Sequence, residues 1–175
     1  MYIKSLIRTI PDYPKAGIQF RDITTLLKDP KGLQLLVDGL AEQYASHHIQ
    51  KIIGIEARGF VIGAAVAYKL GVGFVPIRKS GKLPGQTFQQ EYALEYGSDV
   101  MEIHQDALIA GERVLLIDDL IATGGTAIAA VSLIEQLGGN IAGCAFVIDL
   151  PDLGGMQRLQ NLGLQTFALC QFEGE

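Results

Sequence analysis

The chain has 175 residues. At about 150 residues per domain that is room for one domain, and it excludes a barrel of some ~250 residues. Hydrophobic residues make up 49% and charged residues 19%, enough to bury a core and too apolar for a disordered chain. With 14 Lys and Arg against 19 Asp and Glu, the net charge is −5, which argues against broad binding to nucleic acid or to a membrane surface.

The two cysteines, Cys144 and Cys170, have no CxxC spacing and point to a reducing compartment rather than a disulfide scaffold. The N-terminal stretch MYIKSLIRTIPDYP lacks the apolar region of a signal peptide. Gly59 to Tyr68, the longest apolar stretch, falls short of the ~20 residues a membrane helix needs. The expected location is the cytoplasm, with neither nucleic acid nor membrane as partner.

Tyr2 to Ile10 has helical spacing that stops before Pro11, and Asp12 to Phe20 reads as an irregular loop. Asp29-Pro30 is a helix start, with Asp as cap and Pro in the first turn. Leu33, Leu36, Val37, Leu40 and Tyr44 then share one helical face. Lys51 to Glu56 predicts a strand, Gly59 to Leu70 a helix and Gly73 to Ile77 a strand. Arg78 to Gln86 reads as a polar loop, and Tyr92 to Ile103 as a hairpin around Gly97-Ser98. Arg113 to Ile117 has the unbroken apolar character of a buried parallel strand. Thr126 to Leu137 is a helix ending at Gly138-Gly139, Ile141 to Ile148 a strand, Met156 to Leu162 a short helix, and Leu164 to Leu169 a last strand. Strands alternating with helices imply an α/β fold with a mostly parallel central sheet flanked by helices.

The segment from Val114 to Thr126, VLLIDDLIATGGT, carries the chemistry. A buried strand ends in Asp118 and Asp119, a turn of small and hydroxylated residues follows, and a helix begins. A helix N-terminus leaves amide N–H groups unpaired and carries partial positive charge, so it attracts phosphate. Gly124 and Gly125 keep the backbone uncluttered, Thr123 and Thr126 add hydroxyl donors, and Ala122 completes the turn. Two acids touching that phosphate would repel it. They make sense facing the ribose hydroxyls of a 5-phosphoribosyl group. The plainer reading is an acid pair capping a helix above a Gly-rich turn. Gly54 to Gly59 has P-loop spacing, but Phe60 stands where Lys is required, and no GxGxxG follows a strand.

This segment resembles the phosphoribosyl-pyrophosphate motif of the type I phosphoribosyltransferases. PDYPKAGIQFRDIT at 11–24, GIEARGF at 54–60, PIRKSGKLPG at 76–85 and LEYG at 94–97 extend the resemblance over nearly the whole chain, toward the adenine-specific branch. The resemblance implies one phosphoribosyltransferase domain over 1–175, with a base-binding hood mainly from 1–30 and a mobile hairpin lid at about 86–105. It implies transfer of a phosphoribosyl group from phosphoribosyl pyrophosphate to adenine, giving AMP and pyrophosphate in purine salvage, by a homodimer using Mg²⁺. The chain shows no carboxylate cage for the metal, and Mg²⁺ held mainly by substrate and water needs none.

The resemblance also assigns roles. Asp118 and Asp119 would hold the ribose, and Ala122, Thr123, Gly124, Gly125 and Thr126 the 5-phosphate. Glu56, Ala57 and Arg58 form a second phosphate loop, which in that family can carry a non-proline cis peptide; alone, Arg58 reads equally as part of a helix cap. Arg78, Lys79 and Lys82 read as a solvated loop or as cations for the leaving pyrophosphate, with Arg78 reaching toward a partner subunit. Glu95 would be the general acid, with Tyr96 beside it, unless Glu95 is an exposed hairpin residue. Phe20 would stack on the purine, and the backbones of Gln19 and Arg21 would read its edge; the alternative is a buried aromatic. Leu120 and Ile121 would form the opposite wall. His47, His48 and His104 read as surface residues, and the cysteines as core. The competing functions are 6-oxopurine or xanthine transfer, and a non-catalytic phosphoribosyl-pyrophosphate sensor.

Overall fold

A computed structural model of the chain describes residues 2–94 and 97–174. Its main sheet has seven strands: β3 (Lys51–Ile55), β4 (Gly73–Lys79), β5 (Thr87–Ala93), β6 (Ser98–His104), β7 (Arg113–Ile121), β8 (Asn140–Asp149) and β9 (Thr166–Gln171). Their order across the sheet is β5-β6-β4-β3-β7-β8-β9. The five strands from β4 to β9 run parallel, and the β5–β6 hairpin adds an antiparallel edge. This is the mostly parallel α/β arrangement that the alternation of elements predicts.

Helices cover both faces. On one lie α3 (Pro30–Tyr44) and α4 (Arg58–Leu70), which contribute Leu36, Leu40, Tyr44, Ile62 and Val66 to one core. On the other lie α5 (Gly125–Gln136) and α6 (Gly155–Asn161), which contribute Ala130, Leu133, Ile134 and Leu159 to the second. Buried between the two layers, β7 presents Val114 to Ile117 to both, and all four are fully buried. That explains the unbroken apolar run. The Asp29 carboxylate caps α3, accepting from Gly32 N at 2.6 Å, with Pro30 in the first turn. Gly138 takes φ +74° just past α5.

Several boundaries differ from the sequence reading, each for a tertiary reason. Tyr2 to Ile10 is not one helix: α1 (Tyr2–Ser5) gives way to β1 (Arg8–Pro11). The residue before a proline favours extended backbone, and β1 pairs antiparallel with β2 (Gln19–Asp22), where a loop was expected up to Phe20. Arg8 fastens the pair through Asp22, its Nε lying 3.1 Å from the carboxylate. Asp22 also accepts from Thr24 N at 2.9 Å, at the start of the short α2 (Thr24–Leu27), which the periodicity did not reveal.

Arg78 and Lys79 belong to β4 rather than to a loop, because β6 pairs with them at Glu102 and Met101. The hairpin is longer than Tyr92 to Ile103, starting at Thr87. Strand β7 runs on to Ile121 alongside β8, so both aspartates are strand residues. His47, its ring 5.0 Å from that of Tyr44, and His104, its Nε2 2.8 Å from Pro84 O, are half-buried rather than the surface residues expected, while His48 is exposed. Cys144 and Cys170 are buried and free, in the core as expected. Among the described residues no helix is long and apolar enough to cross a membrane.

Candidate active site

The carboxyl ends of β3, β4, β7 and β8 open onto a cleft of about 420 Å³, where ligands of open parallel sheets bind. Asp118, Asp119 and Leu120 enter it from β7. Glu56, Ala57 and Arg58 enter from the turn between β3 and α4, Lys79 from β4, and Gln19, Phe20 and Arg21 from β2. Most of the residues that the sequence singles out therefore converge on one cavity, although they come from segments far apart in the chain.

Two cations of the cleft, Arg58 and Lys79, each meet a carboxylate. Asp119 is 6% exposed and bonds the Arg58 Nε, at the first turn of α4. Burial works against the Arg58 charge, but the hydrogen bond and charge of Asp119, with Asp118 and Asp22 beyond, outweigh it and raise its pKa. The half-buried Asp118 accepts from the Asp119 N–H at 2.8 Å. Burial first, and then the neighbouring Asp119 charge, push its carboxyl well above the usual carboxylate range. Gly59 lets α4 start against these acids. A Cβ there would lie 2.9 Å from Ile117 O and 3.0 Å from Asp118 Oδ1.

Next to this pair, Glu56 accepts from Arg78 Nε at 2.5 Å, and Arg78 lies over the Phe60 ring at 5.7 Å. The Glu56–Ala57 peptide is cis. Lys79 pairs with Asp99 of β6 at 3.1 Å, and the Tyr92 hydroxyl reaches the same carboxylate at 3.3 Å. Neither Arg78 nor Lys82 lines the cleft; Lys82 is exposed, and its carbonyl accepts from Arg78 Nη1 at 3.5 Å.

Adjoining the cleft is a cup of about 160 Å³, lined by Asp118 and residues 120–127. Here α5 begins. Gly124 stands at its N-cap with φ +84°, a left-handed turn that a side chain would strain, and no side chain caps the helix. The unpaired first-turn amides and the helix dipole therefore face the cup, as an anion site requires. Thr126 lines both the cup and the cleft.

The Arg58 guanidinium lies 6.0 Å over the Phe20 ring, where apolar side chains form a wall of the cleft. Phe20, Ile18, Leu120 and Leu150 line it, and Tyr13 packs edge-on against Phe20 at 5.3 Å. Ile121 does not join this wall. It is 2% exposed and faces the α5 core and the cup. Arg21 turns its guanidinium to Thr9 Oγ1 at 2.6 Å and over the Phe172 ring at 4.5 Å, so what it offers the cleft is mainly main chain. Glu95 and Tyr96 lie outside the described residues.

Sequence reasoning missed Ile18, Ile55, Tyr92, Met101 and Leu150 as lining residues. Tyr92 was legible as part of the hairpin, but Leu150 and Met101 reach the cleft only through strand order. It also missed Arg158, which donates to Thr123 O at 2.6 Å. Among the described residues no group of three or more His, Cys, Asp or Glu side chains is placed to hold a metal ion.

Residues 23–159 match the phosphoribosyl transferase domain family. The chain is 67% identical to the adenine phosphoribosyltransferase of Methylobacillus flagellatus over 173 residues, covering 99% of this chain and 98% of that one. It is 63% identical to the one from Nitrosospira multiformis, covering 99% of both. Its fold superposes on the adenine phosphoribosyltransferase of Thermoanaerobacter pseudethanolicus with a TM-score of 0.93 at 48% identity, covering 98% of each chain. With the Saccharomyces cerevisiae enzyme, complexed with an imino-altritol bisphosphate and adenine, the TM-score is 0.90 at 42% identity, covering 97% of each. Cleft, cup and full-length likeness agree: the chain belongs to the phosphoribosyltransferase family, in its adenine phosphoribosyltransferase group.

Proposed function

We propose that the cleft and its cup are where this chain joins adenine to phosphoribosyl pyrophosphate, giving AMP and pyrophosphate. One observation carries this reading: the anion cup adjoins the cleft that holds the acid pair and the apolar wall, and Asp118, Leu120 and Thr126 line both. A nucleoside monophosphate needs a phosphate site, a ribose site and a base site within reach of one another. A relative from Trypanosoma brucei, with a TM-score of 0.89 at 27% identity, was crystallised in complex with AMP, pyrophosphate and ribose 5-phosphate.

In this reading the amides and hydroxyls of residues 122–126 hold the 5-phosphate, and Asp118 and Asp119 hold the ribose hydroxyls. Phe20 stacks on adenine against Leu120, while the Gln19 and Arg21 main chain reads its edge, which disfavours a 6-oxopurine. A purine ring nitrogen attacks the anomeric carbon as its bond to the pyrophosphate oxygen breaks. The carbon gains oxocarbenium character, and the nearby carboxylates offset the positive charge. Arg58, Arg78 and Lys79 receive the leaving pyrophosphate, and Lys82 adds charge from outside the cleft. Glu95 is the general acid that protonates the departing purine nitrogen in the reverse reaction and takes that proton up in the forward one, with Tyr96 beside it. Residues 1–30 act as the hood, and 86–105 as the lid that excludes water.

The donors at the cleft are hard oxygens, from Asp118, Asp119 and Glu56, which suits Mg²⁺ held mainly by substrate and water. When bound, Mg²⁺ offsets the charge of the pyrophosphate. We take the protein to be a cytoplasmic homodimer, with the free cysteines supporting the compartment and the family resemblance the dimer. The test is incubation with phosphoribosyl pyrophosphate, Mg²⁺ and adenine, hypoxanthine or xanthine in turn. AMP from adenine and little nucleotide from the others is the expected result; equal use of hypoxanthine would overturn the base reading.

A further inference from the structure

We infer that Arg158 is a positioning residue for the turn at 122–126, acting through the carbonyl of Thr123. The inference rests on the proposed reading of that turn as the 5-phosphate site. Four successive carbonyls of the turn have fixed partners. Ile121 O accepts from Leu150 N at 3.0 Å, Ala122 O from Gly155 N at 3.0 Å, and Gly124 O from Ile128 N at 2.9 Å. Thr123 O accepts from Arg158 Nη1 at 2.6 Å.

A trans peptide unit is planar, and its N–H points opposite to its C=O. Holding the carbonyls of Ile121, Ala122 and Thr123 toward segment 150–158 therefore aims the N–H groups of Ala122, Thr123 and Gly124 away from that segment. Residues 120–127 line the cup, whereas Gly155 and Arg158 do not. Arg158 instead borders a separate cavity with Thr123 and Gly125. The supporting segment sits tight against the turn. A Cβ on Gly155 would lie 2.3 Å from Ala122 O, and one on Gly124 would lie 3.0 Å from the Gly155 Cα.

Of these four carbonyls, only that of Thr123 depends on a side chain; main-chain amides hold the others. The peptide it governs leads into Gly124, whose φ of +84° marks the turn's most permissive backbone. If that peptide rotated, a carbonyl oxygen would enter the cup and repel a phosphate. The charged guanidinium keeps it out with a charge-assisted bond.

The test separates binding of the phosphorylated sugar from binding of the base. Arg158 is exposed, so Arg158→Ala should fold. It should raise the KM for phosphoribosyl pyrophosphate and the Kd for ribose 5-phosphate about ten-fold, the loss of one hydrogen bond to a charged group. The KM for adenine should not move, and Arg158→Lys should recover most of the loss. A merely structural role would lower the melting temperature and the active fraction and leave both KM values in place, and that result would overturn the inference. Thr126→Ala, in the turn itself, tests the underlying reading. If it weakens ribose 5-phosphate and Arg158→Ala does not, the positioning role is wrong and the phosphate site stands. If neither variant weakens it, both fall.

Discussion

Replacing Asp119 by Asn separates chemistry from folding at one atom pair. The side chain is nearly isosteric but loses its charge. In the folded protein the Asp119 carboxylate is about nine-tenths buried against the Arg58 guanidinium, whose side chain is 46% exposed. Solvent screens a pair that is open on one side, so its loss should cost no more than about 1 kcal/mol of stability. For a chain of this length that is roughly 2–4 °C in melting temperature. The same carboxylate, on the proposed reading, receives a ribose hydroxyl and faces the positive charge that grows at the anomeric carbon. Removing one such preorganised group typically costs about 3–4 kcal/mol of barrier, or roughly 10²–10³ in turnover. Steady-state AMP formation at saturating adenine, beside a thermal melt, measures both. Turnover should fall by two orders of magnitude or more while the melt shifts by a few degrees. Activity within a few-fold of the parent chain would refute the ribose assignment, whatever the melt does.

Three further outcomes are expected. Asp22 has its carboxyl pulled down from 3.8 to about 2 by the Arg8 hydrogen bond and then by the Thr24 amide, against a smaller opposing effect of burial. A depressed folded pKa adds stability above the unfolded value and loses it as pH falls. The stability gap between the parent chain and Asp22→Asn should therefore be full above about pH 4 and close toward pH 2, as denaturant melts across that range would report. Gly59→Ala should destabilise by about 1–3 kcal/mol, because its methyl meets the Ile117 carbonyl and the Asp118 carboxylate at 3.0 Å or less, and turnover should fall with the displaced acid. Glu95→Gln should lower turnover with little change in phosphoribosyl-pyrophosphate affinity, and a pH–rate profile identical to the parent's would count against the proton-transfer role.

The helix–strand alternation and the chemistry-bearing turn were both legible because local physics writes them into the chain. Asp29-Pro30 marks a helix start by hydrogen bonding and φ, and Val114 to Ile117 marks a twice-covered strand by its lack of polar residues. What stayed hidden was decided across the fold. Helical spacing in Tyr2 to Ile10 lost to pairing with Gln19–Asp22, and Arg78 and Lys79 became strand because β6 lies beside them. The acid pair was visible as two letters, but not that Asp119 would take Arg58 as its partner, 61 residues away in the chain. Arg158 gave no signal at all: it sits in a short helix with ordinary spacing, and its meaning lies in a contact across 35 residues.

The pairing of cations with acids bears on how a polyanion enters such a cleft. Arg58, Arg78 and Lys79 each already hold a carboxylate, from Asp119, Glu56 and Asp99. Simple neutralisation would leave little attraction for pyrophosphate. Both arginines, however, engage their acids through Nε. A guanidinium has five N–H donors in a rigid fork, so a bond at Nε fixes its plane while terminal donors, apart from the Arg78 Nη1 bond to Lys82 O, stay available to phosphate oxygens. On the proposed reading the acids therefore aim the cations rather than cancel them. Lys79 carries no such fork; its bond to Asp99 ties it instead to β6, the second strand of the proposed lid. On the same reading, exchange of that one carboxylate for pyrophosphate would couple substrate arrival to the hairpin, whereas Arg58 and Arg78 would meet substrate without releasing theirs.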